Sequence, residues 1–358
     1  MVPTQQLHDL GQSLWLDNIT RGLLTSGALA RYIDELSITG LTSNPTVFDH
    51  AIKNSNDYDD AIRQKAEEGM AGEDLFFDLA LEDLRQAADL FRPVYDRTGG
   101  NDGWVSLEVS PLLAHDAAGS FREARHLHSR AVRQNLFIKI PGTKEGLIAI
   151  EDCIFYGVPI NVTLLFSRDQ YLAAAEAYMS GVERRIAAGR DPDVCSVASL
   201  FISRWDKAMM GKVPAELQNR LGIAVAQQTY KAYRELCDSE RWRRLVGLGM
   251  RPQRLLWAST GTKDPNAPDT LYVEALAAPS TINTIPDATL LAFADHGTLG
   301  ELMPADGGDA EATLARFAQA GIDHGQLAAD LQREGAESFV KSWVELLATI
   351  SSRLKGFS

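Results

Sequence analysis

The 358-residue chain contains no run of about 18 consecutive apolar residues, the length a helix needs to cross a bilayer. Its start, Met1-Val2-Pro3-Thr4-Gln5-Gln6, carries neither a basic n-region nor an apolar h-region and does not read as a signal peptide. Cysteine is scarce. Cys153, Cys195 and Cys237 are odd in number, far apart and free of CxxC spacing. That pattern argues against disulfides or a thiolate metal site and for a reducing compartment, so a cytoplasmic location is expected. The seven histidines are scattered, and the nearest pair, His126 and His128, sits in a helix-like stretch where positions i and i+2 do not face each other. With no third ligand in view, no metal is expected. The GxGxxG phosphate turn of an open nucleotide-binding sheet is absent. Gly261-Thr262-Lys263 lacks the upstream glycine of a P-loop. No cofactor is expected. Positive charge is in deficit, with 35 Lys and Arg against 48 Asp and Glu and a net charge of −13. Such a field repels nucleic acid and anionic membranes, and neither is expected as a partner. It would repel phosphorylated metabolites too, so a phosphate ligand would require a local basic pocket.

What is present is ordinary globular composition, 45% hydrophobic, with a loose alternation of short apolar runs and longer amphipathic segments. The short runs are 13–17, 40–44, 104–109, 136–140, 159–166, 194–202, 254–259 and 280–285. Helical periodicity occupies 73–91, 122–134, 168–188 and 213–236, with Ser167 and Gly119-Ser120 as candidate caps. Eight strands alternating with helices predict an α/β fold, a closed (β/α)8 TIM barrel. We expect residues 1–358 to form one such domain. Residues 309–358 would be a C-terminal extension of two or three helices, with breaks at Asp323-His324 and Glu334-Gly335. Monomer and homodimer both stay open.

Period-2 alternation then sorts each strand into two faces. Leu136, Ile138 and Ile140 oppose Phe137 and Lys139; Val105, Leu107 and Val109 oppose Ser106 and Glu108; Leu14 and Leu16 oppose Trp15 and Asp17. Ile160, Val162, Leu164 and Phe166 oppose Asn161 and Thr163, Ala198 and Leu200 oppose Ser199 and Phe201, and Leu256 and Ala258 oppose Trp257 and Ser259. With the apolar faces packed on outer helices, Asp17, Glu108, Lys139, Asn161, Thr163, Ser199 and Ser259 converge inside. They lie near the carboxyl ends of the strands, where barrel enzymes hold their active sites. A single buried polar residue is often structural. A buried lysine and two buried carboxylates together carry desolvation costs that a functional site explains better.

These residues lie in segments that resemble the transaldolase family over nearly the whole chain. The segments are Trp15-Leu16-Asp17-Asn18, the run from Gly40 to Phe48, Val105 to Val109, Phe137 to Thr143 and Asn161 to Ser167. Weaker matches follow at Ser199 to Arg204 and Ala258 to Lys263. The resemblance implies a Schiff-base barrel enzyme of the pentose phosphate pathway. It would move a dihydroxyacetone unit from sedoheptulose 7-phosphate or fructose 6-phosphate to glyceraldehyde 3-phosphate or erythrose 4-phosphate. By motif position it implies Lys139 as the Schiff-base lysine, Glu108 and Asp17 as acid/base carboxylates, and Thr163 as the residue holding a water. Asn44, Asn161, Ser199 and Phe201 correspond to substrate- and water-positioning residues, and Arg204 and Ser259 to phosphate ligands. The chain departs from the short members of the family at Gly261, where they carry an arginine. Lys263, two residues further on, takes the second phosphate cation in this reading.

The chemistry suits that set. Breaking the C3–C4 bond of a ketose leaves an electron pair, which an iminium on a lysine amine accepts as an enamine. Burial disfavours an ammonium and so favours the nucleophilic amine. Two carboxylates divide the proton transfers between them. One rival reading is a plain aldolase that releases dihydroxyacetone; its small relatives typically lack the Glu108 carboxylate. Another is a non-catalytic sugar-phosphate-binding barrel, against which stand the intact Asp17, Glu108 and Lys139. A fused isomerase, known in a bifunctional relative, is not expected.

Overall fold

The computed structural model describes residues 2–356. Eight parallel strands close a barrel in sequence order: β1 (Ser13–Leu16), β2 (Ile38–Thr42), β3 (Trp104–Glu108), β4 (Leu136–Pro141), β5 (Ile160–Leu165), β6 (Ser196–Phe201), β7 (Arg254–Ala258) and β8 (Ile282–Ile285). β8 pairs back onto β1. This is the (β/α)8 barrel that the alternation predicts, with additional helices.

Strand alternation separates two apolar layers. Leu136, Ile138 and Ile140 of β4 join Val105 and Leu107 of β3 in the layer that packs on the surrounding helices. Phe137 turns inward and stacks on Trp104 with ring centroids 4.1 Å apart, with Trp15 6.2 Å from Phe137. These rings fill the amino-terminal half of the barrel, each fully buried side chain contributing roughly 1.5–3 kcal/mol by exclusion from water. Below them Asp102 accepts a 2.7 Å hydrogen bond from Trp15 Nε1 and lies 3.8 Å from the Arg254 guanidinium. Arg254 also donates to the carbonyls of Asn101 and Thr281 at 3.1 and 2.9 Å. With these rings filling that half of the interior, the carboxyl end is left for a site that reaches between the strands.

Several expectations need correction. In β7 it is Leu256 and Ala258 that face the barrel interior, whereas Trp257 packs outside, 6.4 Å from the Tyr230 ring. The interior already holds two indoles and a phenyl ring, and the outer layer has room for the third indole. In β5 the alternation breaks after Val162: Leu164 adopts φ 58° and the register with β6 shifts, so Leu165 takes the outer place and Leu164 and Phe166 turn to the other side. The helix expected from Arg122 spans Ala117–Ala131 and is capped by Asp116, whose side chain accepts from the Gly119 N–H. Ser167 caps the helix Arg168–Ala187 as expected, by accepting from the Gln170 N–H.

At the C-terminus the chain breaks between the helices Ala310–Gln319 and His324–Gly356 but runs unbroken through Glu334-Gly335. The long final helix crosses the barrel mouth. Its Gln332 amide donates to the Gly142 carbonyl at 3.1 Å and the Leu164 carbonyl at 3.0 Å, at the ends of β4 and β5.

Candidate active site at the carboxyl ends of the strands

Parallel registration does most of the assembly. Glu108 of β3 is the cross-strand partner of Lys139 of β4, and Lys139 is the partner of Asn161 of β5. Neighbouring residues of one register that face inward must meet. Lys139 Nζ lies 3.3 Å from Glu108 Oε2 and donates to the Ser43 carbonyl at 2.9 Å. Both side chains are almost wholly shielded, 6% and 4% exposed. Burial holds the Glu108 carboxyl above its ordinary range, against the opposing pull of the Lys139 charge.

Lys139 opens onto a pocket of about 310 Å³. Asp17, Asn44, Thr163, Ser199, Phe201, Arg204, Ser259 and Lys263 line it as well. Two of the expected residues stand behind the wall. Glu108 faces a smaller cavity beside Trp343. Asn161 is fully buried: its amide nitrogen donates to Ser106 Oγ at 3.2 Å and its oxygen accepts from Ser199 Oγ at 2.7 Å, so it reaches the pocket through Ser199. Thr163 Oγ1 is buried without a hydrogen-bond partner among the described residues. The amide oxygen of Asn44 caps the helix Pro45–Asn54 through the Val47 N–H at 3.1 Å, leaving Nδ2 for a ligand.

Asp17 follows the last residue of β1, and burial pushes its carboxyl upward while Lys139 and a hydrogen bond from Thr42 oppose the shift. That bond, 2.9 Å from Thr42 Oγ1 to Oδ1, ends a relay, because Thr42 and Thr284 hydroxyls are 2.6 Å apart. Thr42 and Thr284 also line the pocket, as do His50 and Phe339. The sequence reading passed over all four. The strand parity of β2, in which Gly40 and Thr42 share a face, was available to find Thr42; nothing local marks Phe339, which comes from the final helix.

The far side is basic. Among the described residues Arg204 has no ion pair or hydrogen bond; its guanidinium lies 5.0 Å from the Phe201 ring centroid and 5.7 Å from that of Phe339. Burial lowers its pKa, opposed by Glu108 and Asp17. Lys263 sits at the rim, its pKa lowered first by partial burial and then by the nearby charge of Lys207. Ser259, at φ 57°, turns out of the β7 alternation, and its hydroxyl meets Ser203 Oγ at 2.9 Å. No group of three or more His, Cys, Asp or Glu is placed to hold a metal among the described residues.

A closed parallel barrel with a shielded lysine beside carboxylates, and with cations unpaired among the described residues across one pocket at the strands' carboxyl ends, has the make-up of a barrel enzyme with room for a small anionic ligand. Comparison with known proteins narrows the class. The family model described as Transaldolase/Fructose-6-phosphate aldolase matches residues 14–350. The transaldolase of Arthrobacter sp. strain FB24 is 43% identical over 361 residues, covering 98% of this chain and 97% of its own. That of Acidothermus cellulolyticus is 44% identical, covering 99% and 97%, and that of Thiobacillus denitrificans 43%, covering 97% and 99%. The chain belongs to the transaldolase/fructose-6-phosphate aldolase family.

Proposed function

We propose that this protein is a transaldolase that carries a dihydroxyacetone unit on Lys139, taking it from fructose 6-phosphate or sedoheptulose 7-phosphate. The observation that carries the reading is the 3.3 Å approach of Lys139 Nζ to Glu108 Oε2 at the head of a pocket whose opposite wall holds Arg204. The neutral amine attacks the C2 ketone. Glu108, assisted by a water that Thr163 Oγ1 holds, protonates the departing oxygen, water leaves and an iminium forms. Asp17 takes the C4 hydroxyl proton; the C3–C4 bond breaks, its electron pair neutralises the iminium as an enamine, and C4 becomes the aldehyde of the departing aldose phosphate. The steps reverse on glyceraldehyde 3-phosphate or erythrose 4-phosphate: the enamine carbon attacks the aldehyde and Asp17 returns the proton. Hydrolysis then frees Lys139.

Asn44 Nδ2 and Ser199 Oγ, held by Asn161, retain the three-carbon fragment between the half-reactions. Arg204, Lys263 and Ser259 take the phosphate with charge-assisted hydrogen bonds, the local positive field that a chain of net charge −13 needs. Phe201 forms the apolar wall. The final helix across the mouth limits water at the enamine.

Incubation with fructose 6-phosphate and borohydride, followed by peptide mapping, is expected to place a reduced three-carbon adduct on Lys139. An adduct on Lys144, or none, overturns the mechanism. Turnover of fructose 6-phosphate is expected to require an added aldose acceptor; equal turnover without one would mark an aldolase instead.

A further inference from the structure

Arg204 is more shielded than Lys263, the pocket's other candidate phosphate cation, and no ion pair or hydrogen bond among the described residues fixes the direction of its guanidinium. No carboxylate pairs with it among the described residues. A long guanidinium side chain in that setting needs steric definition to present its fork to a planar or tetrahedral anion. The final helix supplies it. Gln332, Gly335 and Phe339 are spaced i, i+3 and i+7, so they share one helix face. Gln332 ties that face to the carbonyls of Gly142 and Leu164. One turn on, Gly335 is buried, and a Cβ built there would stand 3.0 Å from Arg204 Nη1 and 3.0 Å from Leu164 Cδ2. Another turn on, Phe339 brings its ring centroid to 5.7 Å from the guanidinium, beside the 5.0 Å Phe201 contact.

A glycine in the interior of a 33-residue helix costs about 1 kcal/mol relative to alanine. Here φ is ordinary, so conformational freedom is not the reason for it. The space is. We infer that Gly335 and Phe339 are positioning residues for the Arg204 guanidinium, and that through it they set the preference for phosphorylated over unphosphorylated substrates. The inference rests on Arg204 being the phosphate ligand. It assigns to the final helix a role in recognition as well as in covering the mouth.

Both atoms at 3.0 Å from the added Cβ are far ends of flexible side chains, so Gly335→Ala displaces the Arg204 guanidinium and the Leu164 methyl more readily than the backbone. The variant is expected to raise the KM for fructose 6-phosphate and glyceraldehyde 3-phosphate, and the inhibition constant of inorganic phosphate, by about tenfold each, the equivalent of 1.4 kcal/mol. Borohydride trapping of free dihydroxyacetone, which carries no phosphate, is expected to match the parent protein. Phe339→Leu is expected to weaken phosphate inhibition likewise and serves where the alanine variant does not accumulate folded. Arg204→Ala separates the two ideas. If it leaves phosphate inhibition unchanged, the assignment of Arg204 fails. If it weakens inhibition while Gly335→Ala and Phe339→Leu do not, or if those two lower dihydroxyacetone trapping as much as phosphate binding, the positioning role is refuted.

Discussion

Replacing Thr42 with valine removes one hydroxyl of a three-member relay and keeps the side chain's shape. Thr284 donates to Thr42 at 2.6 Å, and Thr42 donates to Asp17 Oδ1 at 2.9 Å. Asp17 is held above its ordinary range by burial, and the Thr42 bond works against that shift. A hydrogen bond to a charged group contributes about 1.5–3 kcal/mol, so its loss disfavours the carboxylate by roughly 10- to 150-fold. The C4 proton can be taken only by the ionised form. The acid limb of kcat/KM therefore moves to higher pH in Thr42→Val; the deficit is largest below the limb and fades above it, where Asp17 is ionised in either protein. Thr42→Ser keeps the donor and is expected to retain the parent profile.

The assay is kcat/KM for fructose 6-phosphate with erythrose 4-phosphate from pH 5.5 to pH 9. A denaturant titration accompanies it, because the orphaned Thr284 hydroxyl costs about 1 kcal/mol in stability. That loss is independent of the Asp17 titration and cannot bend the rate profile. A deficit of the same size at every pH, or a profile that superimposes on the parent, would falsify the proposed role of the relay.

Two further predictions concern the frame. Glu123 accepts a 2.5 Å hydrogen bond from the Ser110 N–H, two residues beyond Glu108, and burial, reinforced by Glu73, pushes its carboxyl up to about 7. Because the folded-state value is raised, the stabilisation from its protonated form is complete below the unfolded value near 4.5 and is lost as pH rises through about 7. Glu123→Gln is expected to flatten the fall in urea-unfolding stability between pH 5 and pH 8; an undiminished slope assigns that fall to other groups. At the opposite end of the barrel, a Cβ on Gly40 would lie 2.5 Å from Trp15 Nε1 and 2.6 Å from its Cδ1. The indole is bound to Asp102 and has little room to yield, so Gly40→Ala is expected to lower stability by roughly 1–3 kcal/mol. An unchanged denaturation midpoint would show that the ring can shift.

Strand parity was a sound guide to the site wherever a strand stayed regular. Glu108, Lys139 and Asn161 sit on consecutive strands in one register, so alternation alone placed them together. It failed where the backbone left the extended region. At Leu164 and Ser259, φ values near +58° reset which face the next residue takes. Neither position is a glycine or asparagine that would advertise a left-handed residue. Ser259 reaches the pocket because of that turn, although the alternation used to place it was wrong for Leu256, Trp257 and Ala258.

The residues that escaped prediction share a physical cause. Phe339 and Gly335 belong to an amphipathic helix whose periodicity reports only that one face is covered. Which strand ends lie beneath that face is decided by Gln332 reaching the Gly142 and Leu164 carbonyls, a contact between segments far apart in sequence. Glycine in a helix ordinarily signals a break, which is what the sequence alone predicts at Gly335. Its neighbours reverse that inference: Arg204 and Leu164 occupy the volume a side chain would fill. The proposed catalytic chemistry can be read along the strands, because β3, β4 and β5 carry Glu108, Lys139 and Asn161 in one register. The proposed recognition chemistry depends on how one helix lies across several strands, and that relation exists only in the folded molecule.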